Sequence, residues 1–404
     1  MQIELRSRSA LAVLTVLLIA AGMSPSCAQR QATPATEPPA EVKASLETPA
    51  KVPVSPSPRT FAEAANRFGF ELWPTMEIEG NAVISPASVY IALNMTSAGA
   101  TGETAAEMVR VLHQADDAGT HHRSAQAQLE RWRTPTEASS VLAVANRLFA
   151  DDSISPSPTF QGLTEERYGA PMETLSFSSA PESSRGAINR WIAEVTREKI
   201  PELLAPGSLS TETRMVLTNA IYFKGQWRDP FKAERTTDAP FHVNADEVVQ
   251  VPMMAQTERL RFARTDTASI VELPYSDGPL SMVVVLPHEG THLQEVEKGM
   301  TSEVFGAWME NLRASRVNLR LPRFKLDPPN ALSLVSPLVQ LGMSSAFRSS
   351  AEFDLISPDL FISDVVHKAM IEVNEEGAEA AASTAVVMRT KSLPRLAEFN
   401  ANRP

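Results

Sequence analysis

The chain has 404 residues, of which 43% are hydrophobic and 21% charged, and its formal net charge is −11. This length allows a large buried core. A single cysteine excludes an intrachain disulfide framework and a thiolate metal site. The negative charge, with no Lys/Arg cluster in the sequence, argues against a nucleic-acid partner.

The N-terminus has the features of an export signal. Arg6 and Arg8 precede an apolar run over residues 10–21, which is too short for a comfortable permanent membrane span. We therefore interpret residues 1–28 as a signal peptide that is cleaved after Ala28.

A bacterial lipoprotein signal ending at Cys27 is the alternative. The segment before this cysteine lacks the aliphatic residue that usually stands three positions earlier. Residues 29–59 are rich in proline and predict a disordered tether, so the folded domain is expected over 60–404. Both alternatives predict an exported protein, either extracellular or periplasmic, or one attached to a membrane through a lipid anchor.

The folded part opens with helical periodicity. Apolar residues at helical spacing predict an amphipathic first helix: Phe61, Ala64, Ala65, Phe68 and Leu72. The segment 81–84 predicts a short buried strand, followed by a helix that begins at Ser85 with Pro86 in its first turn. A third helix is expected to end near Leu112.

The segment 114–133 mixes acids, arginines and the pair His121-His122. We interpret the histidine pair as a solvated surface rather than a metal site.

The remaining elements alternate without a regular βαβ pattern, which indicates an α+β fold. Strands are predicted over 141–149, 213–227, 317–326 and 361–373, and helices over 158–168, 182–199, 292–299, 302–312 and 331–341. A β-meander of four strands is predicted over 250–286.

The segment 378–389 fits two structures. As a set of strong helix formers it predicts an alanine-rich surface helix. It also has period two, with small or apolar residues at every second position: Ala378, Ala380, Ala382, Thr384, Val386 and Met388. The alternate positions are more polar and include Glu379 and Arg389. This pattern suits a strand with one buried face.

These segments resemble the serpin family. The segment 363–374 resembles the strand that leads into the reactive-centre loop of a serpin. The next ten residues resemble the hinge of that loop: Glu375, Glu376, Gly377, Ala378, Glu379, Ala380, Ala381, Ala382, Ser383 and Thr384. The segments 81–89, 98–104 and 213–227 are also similar to the family. The resemblance covers 60–404 and implies a serpin fold with three β-sheets, eight or nine helices and an exposed reactive-centre loop.

The resemblance implies suicide inhibition of a protease. The protease serine attacks a loop carbonyl and forms an acyl-enzyme, and the cut loop inserts as a new strand of the large sheet. The family places the cut fourteen residues after the hinge glycine, which is Lys391–Ser392 here. A lysine there implies a trypsin-like protease, and Arg389 and Arg395 are fallback sites.

The resemblance also implies a buried network that controls strand separation, formed by Ser85, Ser88, Asn219 and His367. Trp227 resembles the tryptophan below the insertion point. Each of these residues is alternatively an ordinary core residue.

No enzyme motif is present in the sequence, and we expect no enzymatic activity, cofactor or metal. The segment 114–133 lacks the basic helix with which some family members bind heparin, so no heparin site is expected. A non-inhibitory binding or structural protein with the serpin fold is the alternative function. Family members continue beyond Pro404, so the resemblance further implies either an incomplete sequence or a bacterial-type member truncated at its C-terminus, which would be inactivated or poorly soluble.

Overall fold

The computed structural model describes residues 16–17, 61–78, 80–114, 118–133, 141–276, 280–358, 360–378 and 396–404. Within these ranges the α-helices are α1 (Phe61–Leu72), α2 (Pro86–Ser97), α3 (Gly102–Val111), α4 (Ala118–Arg133), α5 (Pro158–Leu163), α6 (Pro181–Val195), α7 (Leu293–Lys298), α8 (Ser302–Asn311) and α9 (Val335–Gln340). Short 3₁₀ turns occupy Trp73–Thr75, Ala233–Arg235 and Ser345–Phe347, and a π turn occupies Thr164–Tyr168.

The described strands are β1 (Val16–Leu17), β2 (Val141–Asp151), β3 (Glu173–Leu175), β4 (Met215–Gln226), β5 (Thr237–His242), β6 (Val248–Arg264), β7 (Ala268–Pro274), β8 (Ser281–Pro287), β9 (Arg313–Pro322), β10 (Phe324–Leu326), β11 (Leu332–Ser333), β12 (Val365–Val373), β13 (Gly377–Ala378) and β14 (Ala397–Asn400). The central sheet has the order β10-β12-β4-β2-β3, with β11 on β12 and β13 on β4. The outer sheet has the order β1-β8-β7-β6-β9-β14, with β5 on β6.

Helix α2 lies buried against one face of the central sheet. It begins where predicted, because the Ser85 hydroxyl accepts a hydrogen bond from the backbone N–H of Ser88 and Pro86 needs no such partner. Its side chains pack with α1 and α3 and with Met215 and Leu217 of β4. The start of α2 is therefore fixed against the middle of the sheet.

Helix α6 covers the opposite face of the central sheet. Ile188 and Ile192 are fully buried and cluster with Val216 and Ala220 of β4. Successive residues of β4 thus face α2 and α6 alternately. Both faces are apolar, which explains why β4 reads as a continuous hydrophobic strand.

The predicted α+β class is confirmed, with three local differences. The two predicted strands around 250–264 are one strand, β6, which pairs with β5, β7 and β9. The described strands therefore form two continuous sheets. The segment 81–84 is not a strand, and 331–341 divides into β11 and α9, because Leu332 and Ser333 pair with β12.

None of the helices in the described ranges is long and apolar enough to cross a membrane.

Candidate functional site

The boundary between β4 and β12 is closed in one half and open in the other. The two strands pair in parallel from Val365 opposite Leu217 to Met370 opposite Tyr222. Beyond Met370, β12 continues against β10 on its other side. On the β4 side this space is taken by β13, whose Gly377 pairs antiparallel with Gln226. Gly377 and Ala378 of the hinge therefore begin a strand between β4 and β12.

A tight turn sends the chain back from β12 into this space. The Asn374 side-chain oxygen accepts hydrogen bonds from the backbone N–H groups of Glu376 and Gly377, each at 3.1 Å. Gly377 has φ +139°, and a Cβ atom there would lie 2.0 Å from the carbonyl oxygen of Gly225. Only glycine fits this backbone conformation and close approach.

Trp227 lies directly below the turn and forms two hydrogen bonds with it. Its backbone N–H donates to the Glu376 carbonyl at 2.9 Å, and its indole Nε1 donates to the Asn374 carbonyl at 3.0 Å. The ring is 2% exposed and stacks on Tyr275 with centroids 4.7 Å apart. The turn is thus held by this aromatic pair as well as by its pairing with β4.

The hinge carboxylates differ in their partners. Glu375 accepts from the Thr236 hydroxyl at 2.7 Å and lies 3.6 Å from the Arg323 guanidinium. One side-chain oxygen of Glu376, by contrast, is buried without a hydrogen-bond partner, as is the Tyr275 hydroxyl. Buried unpaired polar atoms cost folding free energy, so the turn region is less well satisfied than the sheet below it.

The closed half carries the predicted polar network. Its members are Ser85 and Ser88 at the start of α2, Asn219 on β4, His367 on β12, and one residue that sequence reasoning missed, Asn146 on β2. His367, Asn219 and Asn146 lie in register across three neighbouring strands. The Asn219 side-chain nitrogen donates to the Ser88 hydroxyl and to the Asn146 side-chain oxygen, both at 2.6 Å.

Hydrogen bonds fix the tautomer of His367. The backbone N–H of Ser85 donates to its Nε2 at 3.0 Å, so this nitrogen is the acceptor and Nδ1 carries the proton. Nδ1 then donates to the Asn219 side-chain oxygen across the β4–β12 boundary. Complete burial lowers the pKa of His367 to about 4, so the ring is neutral at pH 7.

The interpretation of His121 and His122 as a solvated pair is wrong. Their exposed fractions are 4% and 6%, because α4 turns this face towards the core. His121 lies against the Tyr90 ring and pairs with Asn94, and His122 meets the Tyr168 hydroxyl at 2.6 Å. Burial lowers the pKa of each to about 4.

Several predicted residues lie outside the described ranges. They are hinge residues 379–384, the bond Lys391–Ser392, the fallback sites Arg389 and Arg395, and Cys27. Their roles stay predictions, as do the signal peptide, the tether and their bounds. Within the part of the chain that the structure describes, no three His, Cys, Asp or Glu residues are placed to hold a metal ion.

Comparison with known proteins gives consistent matches. The protein-family model described as Serpin (serine protease inhibitor) matches residues 63–404. The leukocyte elastase inhibitor of Xenopus tropicalis is 39% identical over 357 residues, which cover 85% of this chain and 93% of that protein.

Two solved structures show the same fold. Tengpin, a thermophilic serpin in its native state, has a TM-score of 0.77 at 27% identity, over 87% of this chain and 90% of its own. Human thyroxine-binding globulin, complexed with thyroxine, has a TM-score of 0.76 at 26% identity, over 85% of this chain and 92% of its own. These matches give no support to a bacterial origin, a truncated C-terminus, a signal peptide or a lipid anchor, all of which stay predictions.

Proposed function

Since the chain belongs to the serpin family, we propose that it is a suicide inhibitor of a trypsin-like serine protease, cleaved between Lys391 and Ser392. One structural observation carries the proposal. Gly377 and Ala378 already pair with β4 in the open half of the β4–β12 boundary. This is the place and direction that an inserting loop strand would need.

The register of β13 sets the extent of insertion. Gly377 pairs with Gln226, the last residue of β4. If this antiparallel register continued, Met388 would meet Met215, the first residue of β4. Residues 377–388 would then match the full 12 residues of β4, and the length of the loop strand agrees with the length of the strand it joins.

The same register agrees with the period-two pattern of the loop. Residues that pair directly in an antiparallel sheet lie on the same face. Thr384 would lie opposite Asn219 and Val386 opposite Leu217, so the small or apolar set would face α2. The Thr384 hydroxyl would enter the polar network, where it could replace the bond that Asn219 loses when His367 moves away.

Insertion would also move the protease a long way. A strand advances about 3.3 Å per residue, so twelve residues correspond to about 40 Å. Lys391 follows the last paired residue, Met388, by three positions. A protease joined to Lys391 through its acyl bond would be carried past the first residue of β4, with a short spacer between its active site and the sheet.

An elastase-type protease is the second candidate target, favoured by the name of the leukocyte elastase inhibitor. Such a protease would cut after a small apolar residue, for which the loop offers Val387. That bond lies inside the segment matched to β4. Full insertion would then press the protease against the sheet before the last pairs form, and for this reason we favour Lys391.

Denaturing gels of the whole chain with trypsin and with elastase test the proposal, beside the variants Lys391→Ala and Arg389→Ala. We expect trypsin to give a detergent-stable band at the summed mass, lost in Lys391→Ala and kept in Arg389→Ala. Mass spectrometry should find the released peptide 392–404. A stable band with elastase alone, and a released peptide starting at Met388, would move the assignment to the second candidate.

A non-inhibitory binding protein is the alternative, since the fold also serves a thyroxine-binding globulin. Thermal unfolding before and after cleavage at Lys391 separates the two. Insertion adds a central strand and should raise the melting temperature of the cleaved form sharply. An unchanged melting temperature, with clean cleavage and no complex, would favour the binding protein.

We further propose that the protein is exported, with Cys27 as the site of a lipid anchor if one is attached. The apolar run that follows Arg6 and Arg8 supports export. Fractionation of cells that express the wild type and Cys27→Ser tests this proposal. Release of the variant from the membrane fraction would indicate lipidation, whereas retention of both proteins in the cytoplasm would overturn export.

A further inference from the structure

Building on the proposed function, we infer that Arg259, Arg316 and Arg320 of the outer sheet form a docking surface for an acidic segment of the target protease. We call these three residues the arginine surface. Arg316 and Arg320 lie on one strand, and Arg259 joins them only through the pairing of β6 with β9.

The geometry of the two strands places the three side chains on one face. Arg259 and Arg316 are direct partners across β6 and β9, and paired residues share a face. Arg320 follows Arg316 by four residues on β9, so it lies on the same face at roughly 13 Å. Val317 and Leu319 point the other way and are fully buried, which makes the arginine face the solvent side.

The three arginines form no ion pair within the described residues, although Arg316 is near enough to Glu258 for its charge to act on that carboxyl. Arg259 and Arg316 are exposed, Arg320 is half-buried, and none of the three has a carboxylate within ion-pair distance in the described ranges. Two acids share this face: Glu272 pairs with Arg261, and Glu398 accepts a hydrogen bond from Asn318 at 2.7 Å. Like charges that oppose each other directly across two strands destabilise a sheet, so the pair Arg259–Arg316 is unfavourable for the fold alone.

The arginine surface lies beside the point where the reactive loop rejoins the sheet. Strand β14 runs parallel to β9 and pairs Asn400 with Arg320. One step before β14, Leu396 is level with Arg316 and 44% exposed. Leu396 is five positions after Lys391, which is at most about 18 Å of chain. A protease seated on Lys391 would therefore reach this face.

A short acidic protein segment fits this surface better than a polysaccharide chain. Three cations over roughly 13 Å, with Asn318 and Glu398 beside them, match a few carboxylates at strand spacing. Leu396, which is level with Arg316, lies at most about 18 Å of chain from Lys391, and this favours a segment of the bound protease over a separate polysaccharide. Opposite charges across an interface chiefly raise the association rate, and salt weakens them.

The test compares anionic and cationic trypsin, which share a specificity for lysine but differ in surface charge. The variants are Arg259→Glu/Arg316→Glu and, as the matched control, Arg264→Glu. Arg264 is an exposed arginine five residues further along β6, on the opposite face by alternation. We would measure the rate constant of complex formation at low and at high salt.

With anionic trypsin we expect a salt-sensitive rate that falls about tenfold or more in the double variant. Arg264→Glu should keep the wild-type rate constant, and the rate constant with cationic trypsin should not fall in the double variant. Equal rates for wild type and double variant with anionic trypsin would overturn the inference. So would an acceleration by heparin oligosaccharide that needs the two arginines, because it would assign the surface to a polysaccharide.

The failure of the proposed function would be visible separately. If neither trypsin forms a stable complex, inhibition at Lys391 has failed, and fluorescein-labelled hexaglutamate then tests the surface directly. Salt-sensitive binding that is lost in the double variant and kept in Arg264→Glu would support an acidic partner. No binding, or equal binding by all three proteins, would overturn it.

Discussion

The two halves of the β4–β12 boundary, the closed half (hereafter the lower half) and the open half (the upper half), are held by different interactions. The lower half has continuous backbone pairing and a polar network in which Ser88, Asn219 and His367 satisfy one another. The upper half has a glycine-dependent turn, an aromatic stack, and buried polar atoms of Glu376 and Tyr275 without partners. The lower half is therefore held closed by paired strands and hydrogen bonds. The upper half already contains the two-residue strand β13 between β4 and β12.

If the loop inserts as proposed, this difference locates the barrier to insertion. The first loop residues would enter the upper half without breaking any β4–β12 pair, because the last of those pairs is Met370 with Tyr222. Every later residue would have to separate a pair, and the bond between His367 and Asn219 would have to open. The predictions below test each half, from the largest expected effect to the smallest.

The largest effect is expected from Ala382→Arg. On the β13 register Ala382 falls on the face towards α2, where a charge without a partner costs several kcal/mol. Insertion would stop in the upper half, and the protein would become a substrate. We expect the stoichiometry of inhibition, measured by titration against trypsin, to rise by roughly a hundredfold.

Glu379→Arg is the matched control for this change. Position 379 belongs to the alternate, more polar positions of the loop and already carries a charge. The substitution should therefore leave the stoichiometry of inhibition nearly unchanged. Equal losses in both variants would show that the loop does not insert in the β13 register.

Acid should weaken the fold through three buried histidines. His121, His122 and His367 each have a pKa of about 4 in the fold, against 6.5 ordinarily. Between these values the unfolded chain binds protons that the fold excludes. The free energy of unfolding should therefore fall by about 1.4 kcal/mol per pH unit for each histidine as pH drops from about 6.5 to about 4.

Chemical denaturation of wild type, His121→Gln/His122→Gln and His292→Gln across this range measures the slope. The double variant should lose about two thirds of the histidine contribution, and His292→Gln at an exposed position controls for the general effect of a histidine-to-glutamine change. A wild-type slope retained in the double variant would mean that α4 separates from the core before these rings are protonated.

These histidines also show where sequence reasoning stops. Their neighbours in the chain are polar, which favours an exposed helix, and the aromatic residues that cover them, Tyr90 and Tyr168, are far away in sequence. By contrast, the start of α2 was readable from Ser85 and Pro86, because a cap acts locally.

The polar network was predictable only in part. Four of its residues follow from family resemblance, whereas Asn146 depends on the pairing of β2 with β4. Its one sequence signal is a polar side chain inside an apolar strand. Likewise two of the four strands predicted over 250–286 are the single strand β6, whose continuity depends on its pairing with β9.

Asn219→Ala and Asn146→Ala should separate stability from gating in the lower half. Asn219→Ala leaves the His367 Nδ1–H without a partner, and we expect a loss of about 2–3 kcal/mol in unfolding free energy. It also removes the bond across the boundary, so the cleaved loop should insert several-fold faster. Asn146→Ala should cost about 1–2 kcal/mol and leave the insertion rate unchanged. Equal insertion rates in the two variants would contradict a gate at the His367–Asn219 bond.

The smallest effect is expected in the upper half, from Tyr275→Phe. The Tyr275 hydroxyl is buried without a partner, so its removal takes away an unpaired polar group and keeps the stack on Trp227. Unfolding free energy should stay the same or rise by up to about 1 kcal/mol, whereas Tyr275→Ala should cost about 3–5 kcal/mol through lost packing. If Tyr275→Phe were as destabilising as Asn219→Ala, the hydroxyl would have a hydrogen-bond partner in solution. The buried polar atoms of the upper half would then be as well hydrogen-bonded as those of the lower half. Entry of the loop strand would have to be favoured by the Gly377 turn alone.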